Sequence, residues 1–296
     1  MIAIFGPTGV GKTAVAVELA DQLRARGEDP VAISADALQV YRGLETLTGV
    51  ASDEDRTRLE HRLVSFVDPA DSFSAGEFMP LAHDEIDTAL EGGRRPIVLG
   101  GTGLYLRAAL TELSLAPQPP PELRARWQRE IEERGPAALH AELSDRAPQA
   151  AATIEPTDRT RIVRSLELLD MGEEPPRTDD SELWTADTRR PTRLFGVVRE
   201  REELYERIDA RVDAMVAAGA AEQVRRVADA GVSQTARKAL GFEELLTGDV
   251  EGMKRRTRNY AKRQLTWMRK LPSVTVLDAT ARDPAAVAGE IAASLG

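Results

Sequence analysis

The chain contains no cysteine, which excludes a disulfide scaffold, a thiolate-ligated zinc site and thiol catalysis. Histidine is scarce. His61, His83 and His140 are scattered without metal-ligand spacing and read as structural or surface residues. No apolar run approaches the roughly 18 residues of a membrane span. Residues 1–5 (MIAIF) pass straight into a glycine-rich motif and leave no room for a leader, so the expected compartment is the cytoplasm. Positive charge is in deficit, with 39 Lys+Arg against 49 Asp+Glu and a net charge of −10. That balance argues against a general nucleic-acid coat but not against a local basic cleft. The acid-rich composition and the 4% aromatic content read as properties of the surface rather than of a site.

What is present is enough to build a core: 296 residues, 42% hydrophobic and 30% charged. Residues 2–5 form an apolar run, and residues 14–26 follow at helical spacing toward Gly27, a C-cap glycine. A second apolar run, 31–35 (VAISA), stops at Asp36. Residues 75–91 form an amphipathic helix, and 95–99 (RPIVL) a third strand running into Gly100-Gly101-Thr102-Gly103. This alternation predicts a parallel α/β sheet with ligands at the carboxyl ends of its strands. The texture changes after Leu113. Residues 115–121 (LAPQPPP) are proline-rich, 122–172 read as helices broken near Gly135–Pro136 and Pro156, and 173–191 read as a loop. A strand at 193–198 returns to the core. Helical patterns follow at 201–230, 236–246 and 251–270, then a strand at 274–277 and a helix at 283–295. The expected architecture is α/β, a parallel core made of 1–112 and 186–296 and interrupted by a helical insertion at 113–185; the strand–GPTGVGKT–helix order at residues 2–26 makes that core P-loop NTPase-like.

Gly6-Pro7-Thr8-Gly9-Val10-Gly11-Lys12-Thr13 fits the phosphate-loop pattern between a strand and a helix. Its glycines let backbone N–H groups converge on phosphate oxygens at a helix N-terminus. Lys12 supplies a point charge, and the Thr13 hydroxyl is placed to ligate Mg²⁺. An NTPase also needs a metal-associated acid at the end of another strand, yet residues 96–103 end in glycines. Asp36 is the best placed carboxylate. It could ligate Mg²⁺ through water, act as a general base, or simply cap a turn.

Further stretches point one way: SADALQVYRGL (34–44), HRLVSFVDPADSFSAGEF (61–78), VLGGTGLYLRAAL (98–110), DRTRIVRSLELL (158–169), ARKALGFEELL (236–246) and YAKRQLTWMR (260–269). Together with the phosphate loop, and in this order, they resemble the bacterial tRNA dimethylallyltransferases, also called tRNA isopentenyltransferases. The resemblance implies transfer of a dimethylallyl group from dimethylallyl diphosphate to N6 of the adenosine just 3′ of the anticodon. It implies that the loop holds the donor's diphosphate, that Asp36 is the general base, and that Thr102 contacts the reacting region of the tRNA. Arg211, in ERIDARV (206–212), corresponds to the arginine that neutralises the leaving group.

By the same resemblance, Asp36, Ala37, Leu38 and Gln39 grip the neighbourhood of the target base. Thr160, Arg161, Ile162, Val163 and Arg164 reach the anticodon stem, Arg124 adds a contact, and Lys262 to Arg269, with Lys262, Arg263 and Trp267, line the tRNA cleft. Phe242 and Trp267 offer flat faces for stacking bases. The resemblance also implies Mg²⁺ and a monomer. Residues 254–270 carry eight Lys/Arg and no acid, which suits an RNA partner. The sequence departs from the family at 45–52, where ETLTGVAS replaces a Gly-Thr-Ala-Lys-Pro-like stretch, and at Ala37 and Leu38. Three other readings compete: an isopentenyltransferase acting on free AMP or ATP, a P-loop kinase of small metabolites, and an RNA-binding module with a degenerate nucleotide site. The first would not need the basic 254–270 segment or the helical insertion, the second has no use for the GGTGLYL (100–106) and KRQLTW (262–267) stretches, and intact Lys12, Thr13 and Asp36 weigh against the third.

Overall fold

The computed structural model describes residues 1–175 and 182–295. The chain divides into two compact units, Met1–Glu112 with Ala186–Gly296, and Leu113–Thr185. Part of the 173–191 loop expected from the sequence lies outside the described residues.

In the first unit the chain runs β1 (Ile2–Phe5), α1 (Lys12–Arg24), β2 (Pro30–Ala35), α2 (Glu45–Thr48), α3 (Asp53–Arg58), β3 (His61–Arg62), α4 (Ala75–Glu91), β4 (Arg95–Gly100) and α5 (Gly103–Leu110). The second unit holds α6 (Pro121–Arg146), α7 (Pro148–Ala151) and α8 (Arg159–Asp170). The first unit resumes with β5 (Arg193–Val198), α9 (Arg201–Ala217), α10 (Ala220–Ala230), α11 (Phe242–Thr247), α12 (Val250–Met268), β6 (Thr275–Asp278) and α13 (Pro284–Ser294). Among the described residues the sheet has six strands, all parallel, in the order β3-β2-β4-β1-β5-β6. This is the P-loop NTPase-like core that the sequence pattern anticipated.

Strand residues two apart share a face. Ile2 and Ile4, Ile97 and Leu99, and Phe195 and Val197 all join one buried cluster with Val15 and Leu19 of α1 and Val287 and Ile291 of α13. Their alternates Ala3, Phe5 and Val98 are equally buried, as a parallel sheet covered on both faces requires. A second cluster gathers Tyr41, Leu47, Val212, Val224, Phe242 and Met253. Glycine and capping chemistry sets the boundaries. Gly27 (φ 81) closes α1, with its N–H on Arg24 O and that of Glu28 on Leu23 O. Ser74 and Glu77 form a capping box at the start of α4.

Two helical patterns prove discontinuous, and a third breaks where expected. The 201–230 stretch breaks at Gly219 (φ 87) into α9 and α10, and 236–246 becomes a short 3-10 turn followed, after Gly241 (φ 93), by α11. In the second unit Gly135 (φ 79, ψ 162) kinks α6. That unit has its own core of Trp127, Ile131, Leu139, Leu143, Ile162 and Leu166. There the Trp127 indole N–H donates to Asp170 at 3.0 Å.

Candidate active site

The phosphate loop joins β1 to α1, and basic side chains occupy its carbonyls. Lys12 Nζ donates to Gly6 O (2.8 Å) and Pro7 O (3.1 Å), Arg207 Nε to Gly9 O (3.0 Å), and Arg199 Nε to Val10 O (2.9 Å). Helix geometry leaves the N–H groups of Lys12, Thr13 and Ala14 without intrahelical acceptors. The loop therefore presents donors and the positive end of a helix dipole to whatever sits there. Gly9 cannot be replaced cheaply: its φ is 81°, and a Cβ there would lie 2.8 Å from Ile208 Cγ1. Burial lowers the Lys12 pKa to about 8; the Arg211 cation pushes the same way and Asp36 opposes.

Asp36 follows the last residue of β2, where open α/β sheets bind ligands. Its Oδ1 accepts the N–H groups of Leu38 (2.9 Å) and Gln39 (3.3 Å). Turn-capping and catalytic roles are thus compatible, since the second oxygen has no part in the cap. Gln39 ties this turn to the departing 45–52 segment: it accepts from Ser34 Oγ (2.9 Å) and donates to Gly49 O (3.1 Å). Arg211, from α9, also reaches Gly49 O at 3.4 Å. A Cβ on Gly49, whose φ is 62°, would sit 1.8 Å from the Arg211 Nη2, so a larger residue there would be strained and would displace the guanidinium. Burial pulls the Arg211 pKa down and the Asp36 carboxylate pulls it back up.

The third wall is the Gly100–Gly103 turn after β4, read by one stripe of α12. Tyr260 Oη lies 3.3 Å from Thr102 Oγ1, Gln264 Nε2 donates to Gly101 O at 2.8 Å, and the Trp267 ring lies against Gly103. Burial, with Asp36 adding, pushes the Tyr260 hydroxyl up to about 12. These walls enclose a cavity of about 310 Å³ lined by Lys12, Thr13, Asp36, Gln39, Arg211, Tyr260 and Gln264. Leu38, Leu47, Met215, Leu240 and Met253 supply its apolar lining. Two cations, a carboxylate and an apolar wall suit an anionic group attached to a small hydrocarbon.

Most residues expected in the donor site do meet here. Thr8, Gly9, Gly11, Lys12 and Thr13 line the cavity. Gly6 N bonds Gly100 O (3.3 Å), and the Val10 side chain is fully buried in the core. Ala37 is half-buried on the Asp36 turn. Lys262 and Arg263 are exposed on α12 and diverge. The Lys262 ammonium lies over Tyr205 (5.9 Å), whereas the Arg263 guanidinium lies over Tyr260 (5.3 Å).

Phe242 requires correction as a stacking platform. It is 0% exposed, packed in the second core cluster, so neither ring face is open to a base. Ile162 is corrected likewise, because it fills the core of the helical unit. Within that unit Thr160 and Arg161 are exposed and Val163 is half-buried. Arg124 bonds Gln118 Oε1 (2.9 Å) and lies 3.5 Å from Glu167. Arg164 donates to Ala116 O (2.9 Å) and Pro117 O (2.6 Å), bracing the proline-rich segment.

His61, expected to be structural or surface, instead lines the cavity from β3. Its Nδ1 is 2.7 Å from Leu59 O, its Nε2 is buried without a partner, and burial lowers its pKa. His83 (2.9 Å to Ala108 O) and His140 (2.8 Å to Ile154 O) are structural. Arg199 was missed, and Gln264 was named only as part of the Lys262 to Arg269 cleft. Gln264 lay inside the YAKRQLTWMR stretch, but only its i−4 and i+3 relation to Tyr260 and Trp267 marks it as facing the turn.

The IPP transferase family model matches residues 39–271, and the isopentenyl transferase model matches residues 1–68. A tRNA dimethylallyltransferase of Thermomicrobium roseum is 39% identical over 295 residues, 95% of this chain and 86% of the relative. The full-length tRNA isopentenylpyrophosphate transferase of Bacillus halodurans superposes with a TM-score of 0.71 at 33% identity, covering 99% of this chain and 94% of that one. A eukaryotic dimethylallyltransferase acting on tRNA gives a TM-score of 0.72 at 25% identity, covering 95% of this chain and 74% of that one.

Proposed function

Because the chain belongs to the IPP transferase family, we propose a residue-by-residue route for its reaction, the transfer of a dimethylallyl group from dimethylallyl diphosphate to tRNA. The acceptor is N6 of the adenosine next to the anticodon on its 3′ side. An exocyclic amine is a weak nucleophile, whereas an allylic carbon ionises readily once its leaving group is neutralised. The allylic C1–O bond breaks, C1–N6 forms, the N6 proton passes to Asp36, and diphosphate departs. The α1 N-terminus, Lys12 and Arg211 stabilise the departing charge, which is where preorganised donors act most strongly. The Asp36 Oδ1 stays on its turn and holds the carboxylate, so that the other oxygen takes the proton. The target base must leave its stack to reach this depth, which is easier from a loop than from a duplex.

Mg²⁺ belongs to this reading. Among the described residues no three His, Cys, Asp or Glu side chains gather to hold a metal alone. An ion at the Thr13 hydroxyl would take its remaining oxygens from diphosphate and water, as Mg²⁺ beside phosphates ordinarily does. Bound there, it would neutralise part of the leaving-group charge.

On the acceptor side, Thr102, Ala37, Leu38 and Gln39 face the target nucleotide. Lys262, Arg263 and the remaining part of Trp267 meet the anticodon loop, while Thr160, Arg161 and Arg124 of the 113–185 unit meet its stem. The enzyme works as a monomer in the cytoplasm. In support, Leu81 and Val276 are the large hydrophobics left exposed among the described residues, and no helix of these is long and apolar enough to cross a membrane.

The observation that carries this route is the convergence of Lys12, Asp36 and Arg211 on one cavity while β4 ends in Gly100-Gly101 rather than an acid. The test is incubation with Mg²⁺ and dimethylallyl diphosphate plus unmodified tRNA, AMP or ATP, followed by digestion and mass analysis. The expected result is a prenyl mass on adenosine from tRNA alone. Prenylated AMP or ATP would assign the acceptor to free nucleotides.

A further inference from the structure

Gln264 is 4% exposed, and both ends of its amide are used. Oε1 accepts the N–H of Thr8 in the phosphate loop (2.8 Å), and Nε2 donates to the carbonyl of Gly101 (2.8 Å). One side chain therefore clasps the donor loop and the turn that carries Thr102. The fit is tight: a Cβ on Gly101 would lie 2.5 Å from Gln264 Nε2 and 3.4 Å from Lys12 Nζ. The backbone of Gly101 is thus wedged between the glutamine amide and the loop lysine. Tyr260 and Trp267, four residues before and three after, share this face of α12 and meet Thr102 and Gly103. Lys262 and Arg263, between them in sequence, are exposed.

One helix thus carries exposed cations and, through Gln264, a rigid link to the phosphate loop. An apolar residue of equal size would leave a buried N–H and a buried carbonyl unpaired.

We propose that Gln264 is a positioning residue that couples the two substrates: RNA docked on α12 holds its amide across Thr8 and Gly101, so each substrate tightens the other. This rests on the reading that the loop holds the donor's diphosphate and that α12 meets tRNA. The two states are a clasped loop, preorganised for the anion, and an unclasped one. RNA pinning α12 against the 101–103 turn favours the first, and linkage makes the effect reciprocal.

The experiment measures the affinity of the full chain for pyrophosphate, with Mg²⁺, in the presence and absence of an anticodon stem-loop whose target adenosine is replaced by guanosine. In the unsubstituted protein the stem-loop should tighten pyrophosphate by about fivefold or more, the lower range of ordinary coupling. In Gln264→Met each ligand alone should still bind, while the coupling factor falls toward one. Tyr260→Phe breaks a neighbouring contact of the same stripe but leaves the clasp, so it should keep the coupling. If Gln264→Met does not fold, Gln264→Glu, which keeps the Thr8 acceptor and loses the Gly101 donor, should still lower it. Undiminished coupling in the glutamine variants, equal loss in Tyr260→Phe, or no coupling in the unsubstituted protein would each overturn the proposal. Failure of pyrophosphate or the stem-loop to bind the unsubstituted protein would instead overturn the underlying site reading, and the proposal with it.

Discussion

The cavity of the sheet-bearing unit and the arginines of the helical unit treat their charges in opposite ways. In the cavity, Lys12 and Arg211 are half-buried near each other, their pKa values lowered chiefly by desolvation, and Asp36 is the carboxylate that opposes it. Their hydrogen bonds run chiefly to backbone carbonyls, Gly6, Pro7 and Gly49. In the helical unit, Arg124 and Arg164 surround the buried Glu167 (side chain 3% exposed) and tie down Gln118 and the carbonyls of residues 116 and 117. The first pair of cations is held by loop carbonyls, with Asp36 acting only through its charge; the second has a buried carboxylate within salt-bridge reach of both guanidiniums. A basic residue in a motif therefore says little until its partners are known. Here desolvated cations lining a cavity mark the candidate site, and arginines bridged to a buried carboxylate mark scaffold.

Asp36→Asn breaks this contrast most severely. The amide keeps an oxygen to cap the Leu38 and Gln39 N–H groups but cannot accept the N6 proton, so kcat should fall by about 10²-fold or more. Binding of tRNA, followed by filter retention or anisotropy, should stay within a factor of two to three, roughly the scatter of a neutral substitution. An unchanged kcat would remove Asp36 as the base.

A tenfold effect comes from pH. Lys12, held at about 8 in the ligand-free protein, is mostly charged at pH 7 and mostly neutral at pH 9. A bound diphosphate favours the charged form and raises this pKa, so binding takes up a proton across that window. Affinity for the donor should fall about tenfold from pH 7 to pH 9. Calorimetry in buffers of different ionisation enthalpy would show the proton uptake, and its absence would mean that the lysine never meets the phosphate.

Lys262→Ala with Arg263→Ala should weaken tRNA binding several-fold and flatten the slope of log K against log salt by about 1.4–1.8, given roughly 0.7–0.9 per phosphate contact. An unaltered slope would place the RNA on another face. The smallest effect on chemistry is expected from Glu167→Gln. Removing the buried charge should cost roughly 1–2 kcal/mol of stability, discounted because both arginine partners are partly exposed. At saturating tRNA its kcat should not change. A matching loss of kcat would give the Arg124–Glu167–Arg164 group a direct part in the reaction.

Legibility in the sequence followed how local the cause was. The strand at 193–198, the helix at 75–91 and the phosphate loop were readable because period, caps and glycines act within a few residues. The breaks at Gly219 and Gly241 were not, since a glycine inside a helical pattern can be tolerated or can turn the chain. Strand β3 is two residues long and exists because β2 offers it an edge. Asp36 and Arg211 could be named from motifs, yet nothing in their spacing, 175 residues apart, says that they share a cavity.

Local pattern and motifs in a fixed order were enough for the alternation of strands and helices, the phosphate loop with Lys12 and Thr13, the carboxylate at the end of β2, and the family. That Phe242 and Ile162 are core, that His61 faces the cavity, that Gly49 packs against Arg211, and that Gln264 clasps two loops came from the folded chain alone. Those are facts about which distant atoms come within about 3 Å of one another, the range in which hydrogen bonds and steric exclusion act, and no short-range pattern encodes them.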